Sequence, residues 1–117
     1  MADCLFCKIL AKELPSRVVL EDEQCVVIED KFPQAPVHVL VIPRKHYDSL
    51  REMGEAERDL LGHCLLVSNR AAKAKGIDVG GYRVMTNVGV DGGQAIPHTH
   101  FHVLGGRKLG AKIVATP

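Results

Sequence analysis

The sequence predicts an α+β fold with a mainly antiparallel sheet. Three features carry this expectation. Short apolar, β-branched runs cluster toward both ends of the chain. A single long stretch with helical spacing lies between them. The βαβ alternation of a parallel sheet is absent. At 117 residues the chain is expected to form one domain over 1–117. A domain of this size buries roughly two-thirds of its unfolded surface, so folding needs no metal or disulfide.

The elements follow in order. Residues 4–13 are expected to form a short helix, ended by Leu14-Pro15. Val18 to Leu20 and Cys25 to Glu29 read as a hairpin around the acidic Glu21-Asp22-Glu23. Val37 to Ile42 is nearly all apolar, which predicts a strand covered on both faces. Glu55 to Lys75 is the long helix, with Leu60, Leu61, Cys64, Leu65, Ser68, Ala71 and Ala72 on its inner face. Gly76 supplies its stop. Gly81 to Val88 and Thr99 to Leu104 complete the strands, joined by a loop containing Gly89, Gly92 and Gly93.

Composition narrows the function. Fifteen basic residues against fourteen acidic ones give a net charge of +1. That argues against a broad nucleic-acid-binding surface and leaves single nucleotides open. No apolar run reaches the ~18–20 residues of a membrane helix. The first residues lack the pattern of a secretory signal, so the expected location is cytoplasmic. The four cysteines then read as thiols or metal ligands rather than disulfides.

The chemistry concentrates in His98-Thr99-His100-Phe101-His102-Val103-Leu104. On a strand, alternate side chains share one face at intervals of about 6.6–6.8 Å. Three imidazoles would thus stand in a row, with Thr99, Phe101 and Val103 turned to the core. A metal site and histidine catalysis on an anion both remain open. The glycine loop before the row can cradle phosphate with its N–H groups, and Asn87 and Gln94 add neutral donors. Cys4-x-x-Cys7 is half of a zinc site, a redox pair, or two core thiols.

The motif His-φ-His-φ-His-φ-φ identifies the chain as resembling the histidine triad family. The resemblance extends over Cys4 to Pro15, Pro33-Gln34-Ala35-Pro36-Val37-His38, Val41-Ile42-Pro43-Arg44-Lys45-His46, Asp91-Gly92-Gly93-Gln94 and Leu104-Gly105-Gly106-Arg107. These segments are most similar to the histidine-triad nucleotide-binding (Hint) branch, in its zinc-binding bacterial type. The resemblance implies a homodimer with a five-stranded antiparallel sheet per subunit. It implies binding of purine nucleoside monophosphates and hydrolysis of phosphoramidates such as AMP linked to an amine. Sister branches cleave dinucleoside polyphosphates, and a nucleotide-binding module with incidental turnover is the alternative.

Residue by residue, the resemblance makes His100 the nucleophile, oriented by a backbone carbonyl near His98. His102 and His38 would flank the phosphate. Asn87, Gly93 and Gln94 would hold its oxygens, with Ala95 next in the loop. Asp30, followed by Lys31, would bind the ribose hydroxyls. Phe6, Ile9, Leu14 and Ile28 would sandwich the base. Ala95 stands where the family often has a serine near the leaving group, which implies slower turnover of amine substrates. The bacterial type further implies a structural zinc on Cys4, Cys7, His46 and His98, with Cys25 and Cys64 as buried thiols. The tail from Lys108 to Pro117 departs from the branch and is expected to alter substrate preference.

Overall fold

A computed structural model describes residues 4–110. Most of the C-terminal tail singled out above lies outside the described residues. Helix α1 spans Leu5–Leu10, strand β1 Val18–Glu21, β2 Cys25–Glu29 and β3 Val37–Pro43. Helix α2 spans Arg58–Ala74, and β4 (Tyr82–Met85) and β5 (Phe101–Gly105) follow. The five strands form one antiparallel sheet in the order β1-β2-β3-β5-β4. The α+β expectation therefore holds, with β3, apolar except for His38, at the centre.

Alternation along β2 and β3 splits the core into two layers. Cys25, Val27, Val39 and Val41 face α2, where they meet Cys64, Val67, Ala71 and Ala72. Val26, Ile28, Leu40 and Ile42 face the opposite way and pack against Phe6 of α1. Each fully buried aliphatic side chain contributes roughly 1.5–3 kcal/mol, so both layers hold the sheet. Ser68 is fully buried on α2, and its hydroxyl donates to the Cys64 carbonyl at 2.9 Å. Cys25 and Cys64 are buried free thiols 3.7 Å apart, as expected.

Several features differ from the sequence expectation; β4, expected over Gly81 to Val88, covers only Tyr82–Met85. Helix α1 stops at Leu10, because Lys12 adopts a left-handed φ of 62°. Lys12 N–H bonds to Ile9 O and Glu13 N–H to Lys8 O, closing the helix without glycine. Residues Glu55–Glu57 form a 3-10 turn, held by the Glu57 carboxylate on the Gly54 N–H at 2.7 Å, and α2 begins only at Arg58. Leu65 is exposed rather than inward, while Val67 takes the buried place. Strand β5 begins at Phe101, not Thr99, so His98 and His100 precede the ladder. Their segment bonds elsewhere: Thr99 N–H to Tyr47 O at 2.7 Å, and the Thr86 hydroxyl to His100 O at 2.7 Å.

Phe101 joins β5 to α2 in the larger layer. Phe101→Ala is expected to lower the unfolding free energy by about 3–5 kcal/mol in urea titration. A loss under about 1 kcal/mol would contradict this packing.

Candidate active site

The histidines gather on the α1 side of the sheet. Alternation sends Phe101 and Val103 toward α2 and leaves the triad on the other face. His38 on β3 and His102 on β5 come from neighbouring strands, with Leu40 paired to His102 and His38 to Leu104. Ring centroids of His100 and His102 lie 5.0 Å apart, and those of His38 and His102 5.1 Å. Phe6 meets His100 edge-on at 4.9 Å and His98 at 5.9 Å. It is 2% exposed, so it acts as a wall behind the reactive ring.

Hydrogen bonds fix where the protons sit. His100 Nδ1–H donates to the His98 carbonyl at 2.7 Å, which leaves Nε2 as a bare lone pair. The Gln34 N–H donates to His38 Nδ1 at 3.0 Å, so the His38 proton resides on Nε2. That Nε2–H donates to His102 Nδ1 at 2.9 Å, with Asp30 Oδ2 3.3 Å away. His102 must then carry its own proton on Nε2. The outcome is one imidazole that can attack beside one that can donate. Burial lowers the pKa of His100 and of His38. For His102, burial first, then the charges of His100 and His38, lower it to about 4.

Asp30 sits at the mouth of this group. Its Oδ1 accepts from the Phe32 N–H at 2.8 Å, which aims the carboxylate back over His38. Lys31 follows into an exposed turn. Of the four expected base-contacting residues, Phe6 and Ile28 are buried in the α1-side layer. Ile9 and Leu14 instead line a cleft of about 410 Å³ with Leu10, Val18, Val26 and Arg44. No histidine lines that cleft, and neither does Asp30.

The loop from Asn87 to Ala95 is organised by its own side chains. Asn87 Nδ2–H donates to Gly92 O at 2.7 Å. Gln94 Oε1 accepts from Gly89 N–H at 2.9 Å, and its Nε2 donates to Asp48 O and Ile96 O. Gly93 N–H bonds to Val90 O at 3.0 Å, and φ there is +78°. A Cβ at Gly92 would fall 2.3 Å from Val88 O, so only glycine allows the turn. In this conformation the expected phosphate donors are engaged within the loop, and Ala95 is exposed beside them.

A second constellation adjoins the first. Cys4 Sγ, Cys7 Sγ, His46 Nδ1 and His98 Nδ1 all lie within 4.8 Å of one another. His98 Nε2–H donates to Pro43 O at 2.8 Å, and His46 Nε2–H to Asp48 Oδ1 at 2.7 Å. Both Nδ1 atoms are therefore lone pairs, yet they face each other at 3.1 Å. Two acceptors that close repel each other unless a cation lies between them. The sulfur–nitrogen separations are 3.3, 3.4 and 3.6 Å. With zinc-type bond lengths a tetrahedron has sulfur–nitrogen edges of roughly 3.5–3.6 Å and a nitrogen–nitrogen edge of roughly 3.3–3.4 Å. The donor set fits a four-coordinate metal and is compatible with zinc.

Spacing alone placed all three triad rings on one strand face; the ring of His98 instead turns to the cysteines, in the set that the resemblance implied. Sequence reasoning missed Asp48 and the Gln34 amide. Asp48 leaves a faint signal, a carboxylate two residues after His46; the amide leaves none.

The buried neutral imidazoles make stability depend on pH. His102 titrates near 4 in the folded chain and near 6.5 unfolded. Between those values the unfolded chain binds more protons, so stability is complete above about pH 6.5 and declines toward pH 4. Unfolding free energy from urea titration should fall by on the order of 1–3 kcal/mol over that window. His102→Gln should reduce the slope, and an identical slope in the two proteins would contradict the assignment.

Comparison with known proteins agrees with this arrangement. The HIT domain profile matches residues 11–109. An uncharacterized HIT-like protein from Synechococcus elongatus is 44% identical over 107 residues, covering 92% of this chain and 93% of its relative. A HIT family hydrolase from Clostridium thermocellum superposes with a TM-score of 0.95 at 43% identity, over 97% of this chain and 99% of that one. A histidine triad protein from Clostridium difficile gives 0.92 at 46% identity, over 96% and 97%. The chain belongs to the HIT domain family.

Proposed function

We propose that this protein is a hydrolase of the Hint branch that cleaves purine nucleoside phosphoramidates through a nucleotidyl-histidine on His100. The supporting observation is the bond from His100 Nδ1–H to the His98 carbonyl, which holds Nε2 unprotonated. In the first step Nε2 attacks the α-phosphorus and the phosphorus–nitrogen bond to the amine breaks. The amine needs a proton as it leaves, and a water supplies it. In the second step water attacks the phosphorus, the bond from phosphorus to His100 Nε2 breaks, the water's proton passes to solvent, and the nucleoside monophosphate leaves with neutral His100.

The neighbours serve the charge that develops. His38 donates to His102 and sets its tautomer. Asp30 offers its free carboxylate oxygen to the ribose hydroxyls, with Lys31 beside it. Phe6 and Ile28 give the base an apolar surface, while Ile9 and Leu14 line the separate cleft. Gly93, Gln94 and Asn87 receive the phosphate once the loop exchanges internal bonds for bonds to the anion. Ala95 brings no hydroxyl to the leaving group.

Cys4, Cys7, His46 and His98 hold a structural zinc in this reading. When bound it supplies fixed geometry alone, because four protein donors leave no position for water. Two copies pair through the outer edge of β4, where Met85 is exposed, together with Leu65 and Leu66 of α2. Free cysteines fit a reducing cytoplasm. Among the described residues, no helix is long and apolar enough to cross a membrane.

Intact mass after rapid mixing with an AMP phosphoramidate tests the chemistry. A gain of one nucleotidyl group is expected, and its absence at every mixing time overturns the covalent route. His100→Ala should show no gain, lose at least about 1,000-fold in rate, and keep nucleotide binding. Binding without turnover in the natural chain would instead mark a nucleotide-binding module. Elemental analysis of protein purified without chelator should find roughly one zinc per chain; less than about a tenth of that defeats the metal assignment.

A further inference from the structure

Asp48 stands between the two constellations and belongs to neither ligand set. Its carboxylate accepts from His46 Nε2–H at 2.7 Å. Its backbone carbonyl accepts from Gln94 Nε2–H at 2.6 Å. Its side chain is 69% exposed, so no packing role accounts for the residue. Next to it Tyr47 O accepts both the N–H and the hydroxyl of Thr99. Ser49 is buried, and its hydroxyl accepts from the Arg51 N–H. The turn that carries Asp48 is therefore fixed on both sides.

We propose that Asp48 is a positioning residue that orients His46 toward the Cys4, Cys7, His98 cluster and, through it, steadies His100. The physical reasoning has three links. A neutral imidazole can present either nitrogen, and the one facing a carboxylate carries the proton. With the Asp48 carboxylate on Nε2, the His46 lone pair is fixed on Nδ1, pointing at His98 Nδ1 3.1 Å away. A carboxylate behind a ligating imidazole also makes it more basic, and losing such a partner weakens metal affinity by roughly 10–100-fold. His98 transmits the effect, because its ring belongs to the cluster while its carbonyl holds His100. The inference rests on the metal reading above and not on the identity of the substrate.

The test is zinc affinity measured by competition with a chromogenic chelator on the full chain. Asp48→Ala should bind zinc roughly 10–100-fold more weakly than the natural chain. Asp48→Asn keeps an acceptor and loses the charge, so its affinity should fall between the two. At free zinc buffered between the two dissociation constants, Asp48→Ala should unfold at lower temperature and turn over an AMP phosphoramidate more slowly. Saturating zinc should restore both to the natural values, which a purely structural defect would not allow. Equal zinc affinity in the natural chain and Asp48→Ala overturns the proposal, and so does a defect that excess zinc leaves in place. A natural chain that binds no zinc removes the metal reading and this proposal together. Ordered zinc affinities without any phosphoramidate turnover support Asp48 and count against the phosphoramidase reading alone.

Discussion

One residue, His98, sets the constraint on which both constellations depend. Its ring must present Nδ1 to three other donors, so its Nε2 proton is tied to the Pro43 carbonyl. Its backbone must present a carbonyl to His100, so the peptide plane is fixed in the opposite sense. Both demands are met because His98 lies just before the β5 ladder, where its N–H bonds locally to Ile96 O instead of to a neighbouring strand. It is fully buried, so neither bond competes with water.

The sheet supplies the rigidity behind this arrangement. Apart from His38, β3 is apolar on both faces, and each face has its own cover, α2 on one side and α1 on the other. α2 covers a large area with small residues, Ala71, Ala72, Ser68 and Cys64, which allows close approach. α1 is only six residues long and cannot be stable by itself. It is held by Phe6 against the histidines and by Cys4 and Cys7 at the cluster. The short helix, the metal-ligand group and the reactive ring therefore form one packed unit.

Proton placement completes the site without any formal charge on the imidazoles. The Gln34 amide fixes His38, His38 fixes His102, and the His98 carbonyl fixes His100. Each step follows from a neighbour that can only donate or only accept. Burial reinforces it by disfavouring the protonated ring. The loop from Asn87 to Ala95 contrasts with this rigidity. Asn87 and the Gln94 side-chain carbonyl oxygen bond within the loop, and Gln94 Nε2 ties it to Asp48 O and Ile96 O outside.

The sequence by itself determined the periodic features. Alternation over 98–104 named the histidine row, the nearly all-apolar run over 37–42 named the central strand, and the Cys4/Cys7 spacing named half of the Cys/His cluster. Period and spacing are properties of the chain, so they can be read from it directly. Only the tertiary structure decided the rest. Lys12 ended α1 in a left-handed conformation that its side chain does not announce. Leu65 was left outside because the inner face of α2 is set by where β2 and β3 lie. The ring of His98 meets His46 and Pro43 through contacts between segments some fifty residues apart, and Gln94 holds the turn that carries Asp48 across a similar separation. Such contacts are fixed by which backbone groups are left free after the sheet has formed, and no local pattern encodes that.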